Sequence, residues 1–85
     1  MKDLNLLADI FLKMKSRKEM DNFLMGLLTP KEIEEFGKRV EIVKMLKKGI
    51  TQSVVAKKLK VGIATVTRGA NEIKKGRFTY LCWRK

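Results

Sequence analysis

The chain has no histidine, one cysteine, one proline and a single acidic residue in its second half. Each shortage removes a class of function. Without histidine, no side chain titrates near neutral pH in its ordinary state, so acid–base catalysis loses its usual agent. Cys82 alone makes no intrachain disulfide. With no histidine beside it, there is neither a metal-ligand set nor a base to activate a thiol. No Gly-rich phosphate loop is present. Glu32, Glu34 and Glu35 fall in the first turns of a predicted helix, where the helix dipole favours acids, and they read as structural. Enzyme activity is not expected, and the catalytic and metal inventories are empty. Long apolar runs are missing too. Asp3 and Asp9 interrupt the first apolar stretch, so it reads as neither signal peptide nor membrane span, and cytoplasmic localisation without a membrane partner is the expectation.

What is present is positive charge, unevenly placed. The 85 residues carry a net charge of +11. Residues 1–43 hold eight Lys/Arg and eight Asp/Glu, whereas residues 44–85 hold twelve Lys/Arg and one acid, Glu72. A neutral half beside a basic half suggests a scaffold joined to a polyanion-binding part. A basic chain is also compatible with plain solubility or with acidic membranes, but no long basic amphipathic helix of the membrane type is seen. The length allows one small domain with a modest core. Without disulfide or metal, dimerisation is the remaining way to enlarge that core.

Taken in order, the chain reads as all-α with about five helices. Leu4, Leu7, Ala8, Phe11 and Met14 recur at helical spacing, predicting a helix over 3–15 with Asp3 near its N-cap. Ser16-Arg17-Lys18-Glu19 is a capping-box pattern that starts a second helix, with Met20, Phe23, Leu24 and Leu27 on one face. Thr29-Pro30-Lys31-Glu32 is a stronger start: Thr29 caps, Pro30 fits the first helical position, and Glu32 reaches back. That central helix should run to about Lys48, with Gly49 as its stop. Its first half carries a single stripe, Ile33, Phe36 and Val40, but Ile42, Val43, Met45 and Leu46 cover a wide arc. A helix apolar over a wide arc is buried on more than one side, and in so small a protein the second side points to a homodimer. The chain thus divides into N-terminal dimerisation helices (1–28), a central helix (29–49), a helix–turn–helix (51–76) and a basic aromatic tail (77–85).

Gln52–Asn71, with Thr51 as a cap, is the stretch where the basic half acquires shape. Val54, Val55 and Leu59 give a short helix, about 52–59, one apolar stripe, and Lys60-Val61-Gly62 breaks it. Ile63, Val66, Ala70 and Ile73 then recur at i, i+3, i+7, i+10, predicting a helix over about 63–75 that ends at Gly76. The other face carries Thr65, Arg68, Asn71 and Lys75, with Ala64, Thr67 and Lys74 at its sides. Small hydroxyls near a helix start, followed by cations, suit a major groove. An ordinary helical hairpin with a solvated basic face has the same pattern. Phosphate contacts are expected from Lys57, Lys58, Lys60, Lys74 and Lys75, which position without specifying sequence. In the tail, Phe78, Tyr80 and Trp83 lie between cations. They either dock on the core or a partner subunit, the favoured reading, or stack on bases.

Thr29-Pro30, the run Gly37–Val43 (GKRVEIV), Leu46, Gly49 and above all Gly62–Asn71 (GIATVTRGAN) resemble the tryptophan operon repressor superfamily, including its shorter relatives. The likeness covers about Leu28 to Lys74; the N-terminal helices match in pattern only. It implies an intertwined homodimer that places two recognition helices in successive major grooves of pseudo-palindromic double-stranded DNA. By position, Ile63, Ala64, Thr65 and Thr67 would meet the operator and Lys74 a phosphate, with Gln52 and Ser53 close to the backbone. Many base contacts in this family run through water.

The family's co-repressor pocket carries over in part. Arg39 and Arg68 fall where two arginines sandwich an indole, and Thr29 and Gly69 also match pocket positions. Gly26 stands where a leucine normally lines the pocket, and Glu72 where the family has a serine that helps hold the ligand's amino group. Glu72 has two readings: it accepts a hydrogen bond from a ligand ammonium, or it pairs with Arg68 four residues earlier and fills the site itself. The long C-terminal helix of the tryptophan-responsive members is missing. L-tryptophan or a related amine as co-repressor, and ligand-free DNA binding, therefore both stand. The expectation is a sequence-specific DNA-binding regulator of repressor type, acting as a homodimer. Its rivals are a nucleic-acid module without base specificity and a protein-interaction domain.

Overall fold

The computed structural model describes residues 1–81. Five α-helices follow one another: α1 (Lys2–Lys13), α2 (Arg17–Leu27), α3 (Pro30–Lys47), α4 (Gln52–Leu59) and α5 (Ile63–Lys74). The chain falls into two compact units, Met1–Glu34 and Glu35–Lys85. Among the described residues no helix is long and apolar enough to cross a membrane.

In the first unit, the ends of the helices are set locally. Ser16 caps α2 by accepting the Glu19 amide at 3.1 Å, while Glu19 Oε1 accepts from Lys15, one residue earlier than a reciprocal capping box requires. At Thr29 the box is complete. Thr29 Oγ1 accepts the Glu32 amide at 3.1 Å, and Glu32 Oε1 accepts the Thr29 amide at 2.9 Å. Those bonds to Thr29, backbone first and side chain second, hold the Glu32 carboxyl below its usual 4.5. α1 starts one residue earlier than its pattern predicts, so Asp3 lies in its first turn and Met1 takes the capping position. Phe11 and Phe23 meet edge to face with centroids 5.4 Å apart, which ties α1 to α2. Neither helix holds a buried residue; Leu12 is 84% exposed and Met25 74%. The N-terminal stripes are real, but this unit by itself does not bury them.

The second unit holds the core. Ile42, Val55 and Val66, one from each of α3, α4 and α5, are buried against one another, with Met45, Leu46, Ile50, Ala56, Leu59 and Val61 packed around them. Val54 lies on the solvent side of α4, contrary to the stripe drawn through it, because neighbouring residues on a helix point about 100° apart and Val55 takes the inward place. Thr51 stands at the N-cap of α4 but accepts no hydrogen bond there.

α3, α4 and α5 all end in the same way. The Gly49 amide donates to Leu46 and the Ile50 amide to Met45; the Gly76 amide donates to Ile73 and the Arg77 amide to Glu72. Both pairs form Schellman ends, with Gly49 at φ 90° and Gly76 at φ 92°. After α4 the Val61 amide reaches Ala56 in the matching bond, but the left-handed residue there is Lys60, at φ 55°. The glycine of this turn, Gly62, is extended at φ −68° and begins α5. The turn that joins the two helices thus places a side chain where glycine is favoured. Lys60→Gly is expected to stabilise the fold by about 0.5–1 kcal/mol, the relief of the left-handed cost less the added chain entropy. Thermal unfolding at fixed protein concentration checks this, and an unchanged or lower midpoint contradicts it.

Candidate nucleic-acid interface and adjoining cleft

α4 and α5 form the helix–turn–helix, and the geometry of their exposed faces follows from the burial of Val55 and Val66. With Val66 fully buried, the opposite side of α5 faces outward, and Ala64, Thr67, Arg68, Asn71 and Lys75 line one shallow groove along it with Glu72. Ser53, Lys57, Lys58, Lys60, Ile63, Thr65 and Lys74 are exposed as well, and Gln52 is half-buried. Gln52 and Thr67 are bonded to each other: Thr67 Oγ1 donates to Gln52 Oε1 at 2.8 Å. This bond crosses from the first turn of α4 to α5. It leaves the Gln52 amide hydrogens and the Thr67 oxygen lone pairs free to face outward.

A second concavity, of about 480 Å³, opens between α3 and α5. Ile42 and Val43 form its floor, Ala64, Thr65, Arg68, Gly69 and Glu72 one side, and Arg39 and Phe78 the rest. Four of the five residues singled out for a ligand, Arg39, Arg68, Gly69 and Glu72, therefore come together. The fifth, Thr29, belongs to the first unit, where its side chain serves the α3 cap. Gly69 explains how the helices approach: a Cβ there would lie 3.1 Å from Ile42 Cγ2, so a side chain would have to push Ile42 aside. Arg39 lies over the Phe36 ring at 5.4 Å, a cation–π contact on its own helix that holds the guanidinium at the cleft's edge.

Glu72 does not pair with Arg68. Its ion-pair partner among the described residues is Lys75, 3.6 Å from Oε2, three residues further along α5. Both neighbours are within reach on a helix surface, so sequence spacing offers each equally. At 3.6 Å the Lys75 contact is ionic rather than a hydrogen bond, and Oε2 is shielded from solvent with no hydrogen-bond partner. A buried acceptor without a hydrogen bond is costly, and an added donor would relieve it.

Phe78 is the lining residue that sequence reasoning did not assign to the cleft. It follows the Gly76 stop, takes φ 62°, and lines the cleft. Tyr80, by contrast, is 98% exposed and is not packed against the core of this unit. Trp83 lies outside the described residues.

Comparison with known proteins gives these features a common setting. The family model described as Trp repressor protein matches residues 2–83. A Trp operon repressor homolog of Vibrio vulnificus strain YJ016 is 41% identical over 73 residues, covering 85% of this chain and 72% of its own. The Trp operon repressor homolog of Vibrio campbellii is 36% identical over 74 residues, covering 86% and 74%. That of Actinobacillus succinogenes is 39% identical over 72 residues, covering 84% and 70%. No solved structure gives a significant match. With its five described helices, the last two forming a helix–turn–helix, and this match over nearly its whole length, the protein belongs to the Trp repressor family of DNA-binding regulators, not to a family of enzymes.

Proposed function

We propose that the protein is a sequence-specific, homodimeric repressor that occupies a pseudo-palindromic operator with one α5 helix in each of two successive major grooves. The observation that carries this reading is the outward side of α5: Ala64, Thr67, Arg68, Asn71 and Lys75 line one groove away from buried Val66, with exposed Ile63, Thr65 and Lys74 at its flanks. Ile63, Ala64, Thr65 and Thr67 are the base-facing set, and Lys57, Lys58, Lys60, Lys74 and Lys75 the phosphate contacts, with Gln52 and Ser53 near the backbone. The dimer is supported by the exposed apolar residues of α1 and α2, which the first unit does not bury by itself. A Thr65→Ala/Thr67→Ala protein tests the assignment. Selectivity among duplexes is expected to fall by roughly 10-fold or more, at about 1–3 kcal/mol for each base interaction removed, while non-specific binding persists. Selectivity equal to the parent's would mean that α5 does not read the bases.

The cleft supports a second element of the reading, an aromatic amine as effector. A flat ring between the Arg39 and Arg68 guanidinium groups, with its ammonium at the Glu72 carboxylate, would give that carboxylate a hydrogen-bond donor. L-tryptophan and tryptamine differ only in the carboxylate, so titrating both by calorimetry also measures what Arg68 adds. Glu72→Ala is expected to weaken either ligand by roughly 10-fold or more, as for a charge-assisted hydrogen bond. Equal affinities in parent and variant would remove Glu72 from ligand binding.

A further inference from the structure

We propose that Lys47 and Phe78 are positioning residues for the recognition helix: together they latch the end of α5 to the end of α3, so that α5 is held in its DNA-reading attitude by the chain itself. The Lys47 ammonium, in the last turn of α3, donates to the carbonyl of Phe78 and to that of Leu81, the latter at 2.8 Å. A surface lysine bonded to one carbonyl would not do this; here the ammonium closes a turn by gripping two of its oxygens. The Arg77 amide ties the turn to α5 by donating to Glu72, and within the turn Thr79 Oγ1 donates to Gly76 at 2.6 Å and the Leu81 amide to Phe78.

Two features indicate that the turn is held rather than draped. Phe78 occupies the left-handed region at φ 62°, which a bulky residue does not take unless its surroundings impose it. Phe78 also lines the cleft between α3 and α5, so the residue whose carbonyl is gripped by Lys47 stands at the place where the two helices meet. The segment that follows Gly76 thereby bridges α3 and α5 on the cleft side. A recognition helix already ordered before it meets DNA loses less freedom on binding.

This inference rests on the proposed DNA reading by α5, but its first measurement does not. In the protein without DNA, Lys47→Met is expected to lower the amide-exchange protection of Ala70–Lys74 by roughly 10-fold, with Lys47→Arg keeping it and Phe78→Ala losing it. In duplex binding, Lys47→Met and Phe78→Ala should each weaken affinity by about 3–10-fold at every salt concentration, leaving the slope of log affinity against log salt unchanged. That constancy separates a latch from a phosphate-binding cation, whose loss lowers the slope by about one. Parent-like exchange in Lys47→Met, or a reduced salt slope, overturns the proposal. Should the parent bind no duplex selectively, the functional reading fails while the exchange measurement still decides the latch.

Discussion

Raising the salt concentration from about 50 to about 200 mM is expected to weaken operator binding by a factor of roughly 10³–10⁵, if six to ten lysines of the proposed dimer neutralise phosphates. Each chain offers Lys57, Lys58, Lys60, Lys74 and Lys75, all exposed around the helix–turn–helix. The half of the chain from residue 44 carries all of the net charge of +11, with Glu72 as its one acid. Among the described residues, most of these cations have no carboxylate to release before they meet DNA; Lys75, 3.6 Å from Glu72, is the exception. Replacing Lys57 and Lys58 by Gln removes up to four cations per dimer. The salt slope is then expected to fall by roughly 3–4, with sequence preference retained, because phosphate contacts position without reading. A slope equal to the parent's would place the first helix of the motif away from the duplex. Lys75→Gln should cost less than either, since part of that charge is already balanced within the chain.

Ile42→Ala is expected to destabilise the protein by about 2–5 kcal/mol, through the lost transfer of three carbons and the cavity left behind. The described core is small: Ile42, Val43, Val55 and Val66 are its buried hydrophobic members. Ile42 stands at the junction of that core, touching the space above Gly69 and forming the floor of the cleft. For a domain of this size the change should lower the melting temperature by about 10 °C or more at fixed protein concentration. Ile42→Val should cost about 0.5–1.5 kcal/mol, and exposed Val54→Ala within about 0.5 kcal/mol. A melting temperature unmoved by Ile42→Ala would mean that these helices draw their stability from elsewhere. DNA binding should be lost in parallel, because the same side chain supports both helices of the motif.

The sequence disclosed those parts of the fold that short stretches decide. Thr29 with Glu32, Gly49 and Gly76 act within one helical turn, and each does what its residue type suggests. Of the stripe drawn through Ile63, Val66, Ala70 and Ile73, the last three turn inward as their spacing predicts, whereas Ile63, in the first turn of α5, is exposed because the core begins with Val66. Lys60 was not, since Gly62 two residues on is the residue that a turn prediction selects, and nothing local says which of the two will be left-handed. The pairing of Glu72 with Lys75 instead of Arg68 depends on side-chain directions that spacing does not distinguish. Arg39, Arg68, Gly69 and Glu72 were brought together by resemblance, not by any sequence period. Lys47 and Phe78 are 31 residues apart and meet only after α3 and α5 have packed. A bond of that kind leaves no trace in periodicity.

The uncovered faces of α1 and α2 make the amount of protein itself a variable. In the proposed dimer, folding and assembly are one equilibrium, so the population able to bind rises with roughly the square of chain concentration at low abundance. A modest fall in synthesis would then empty the operator more abruptly than it depletes the protein, and a modest rise would refill it as sharply. The threshold of such a regulator would then be set by residues within the first unit, Met1–Glu34, far along the chain from the proposed recognition helix.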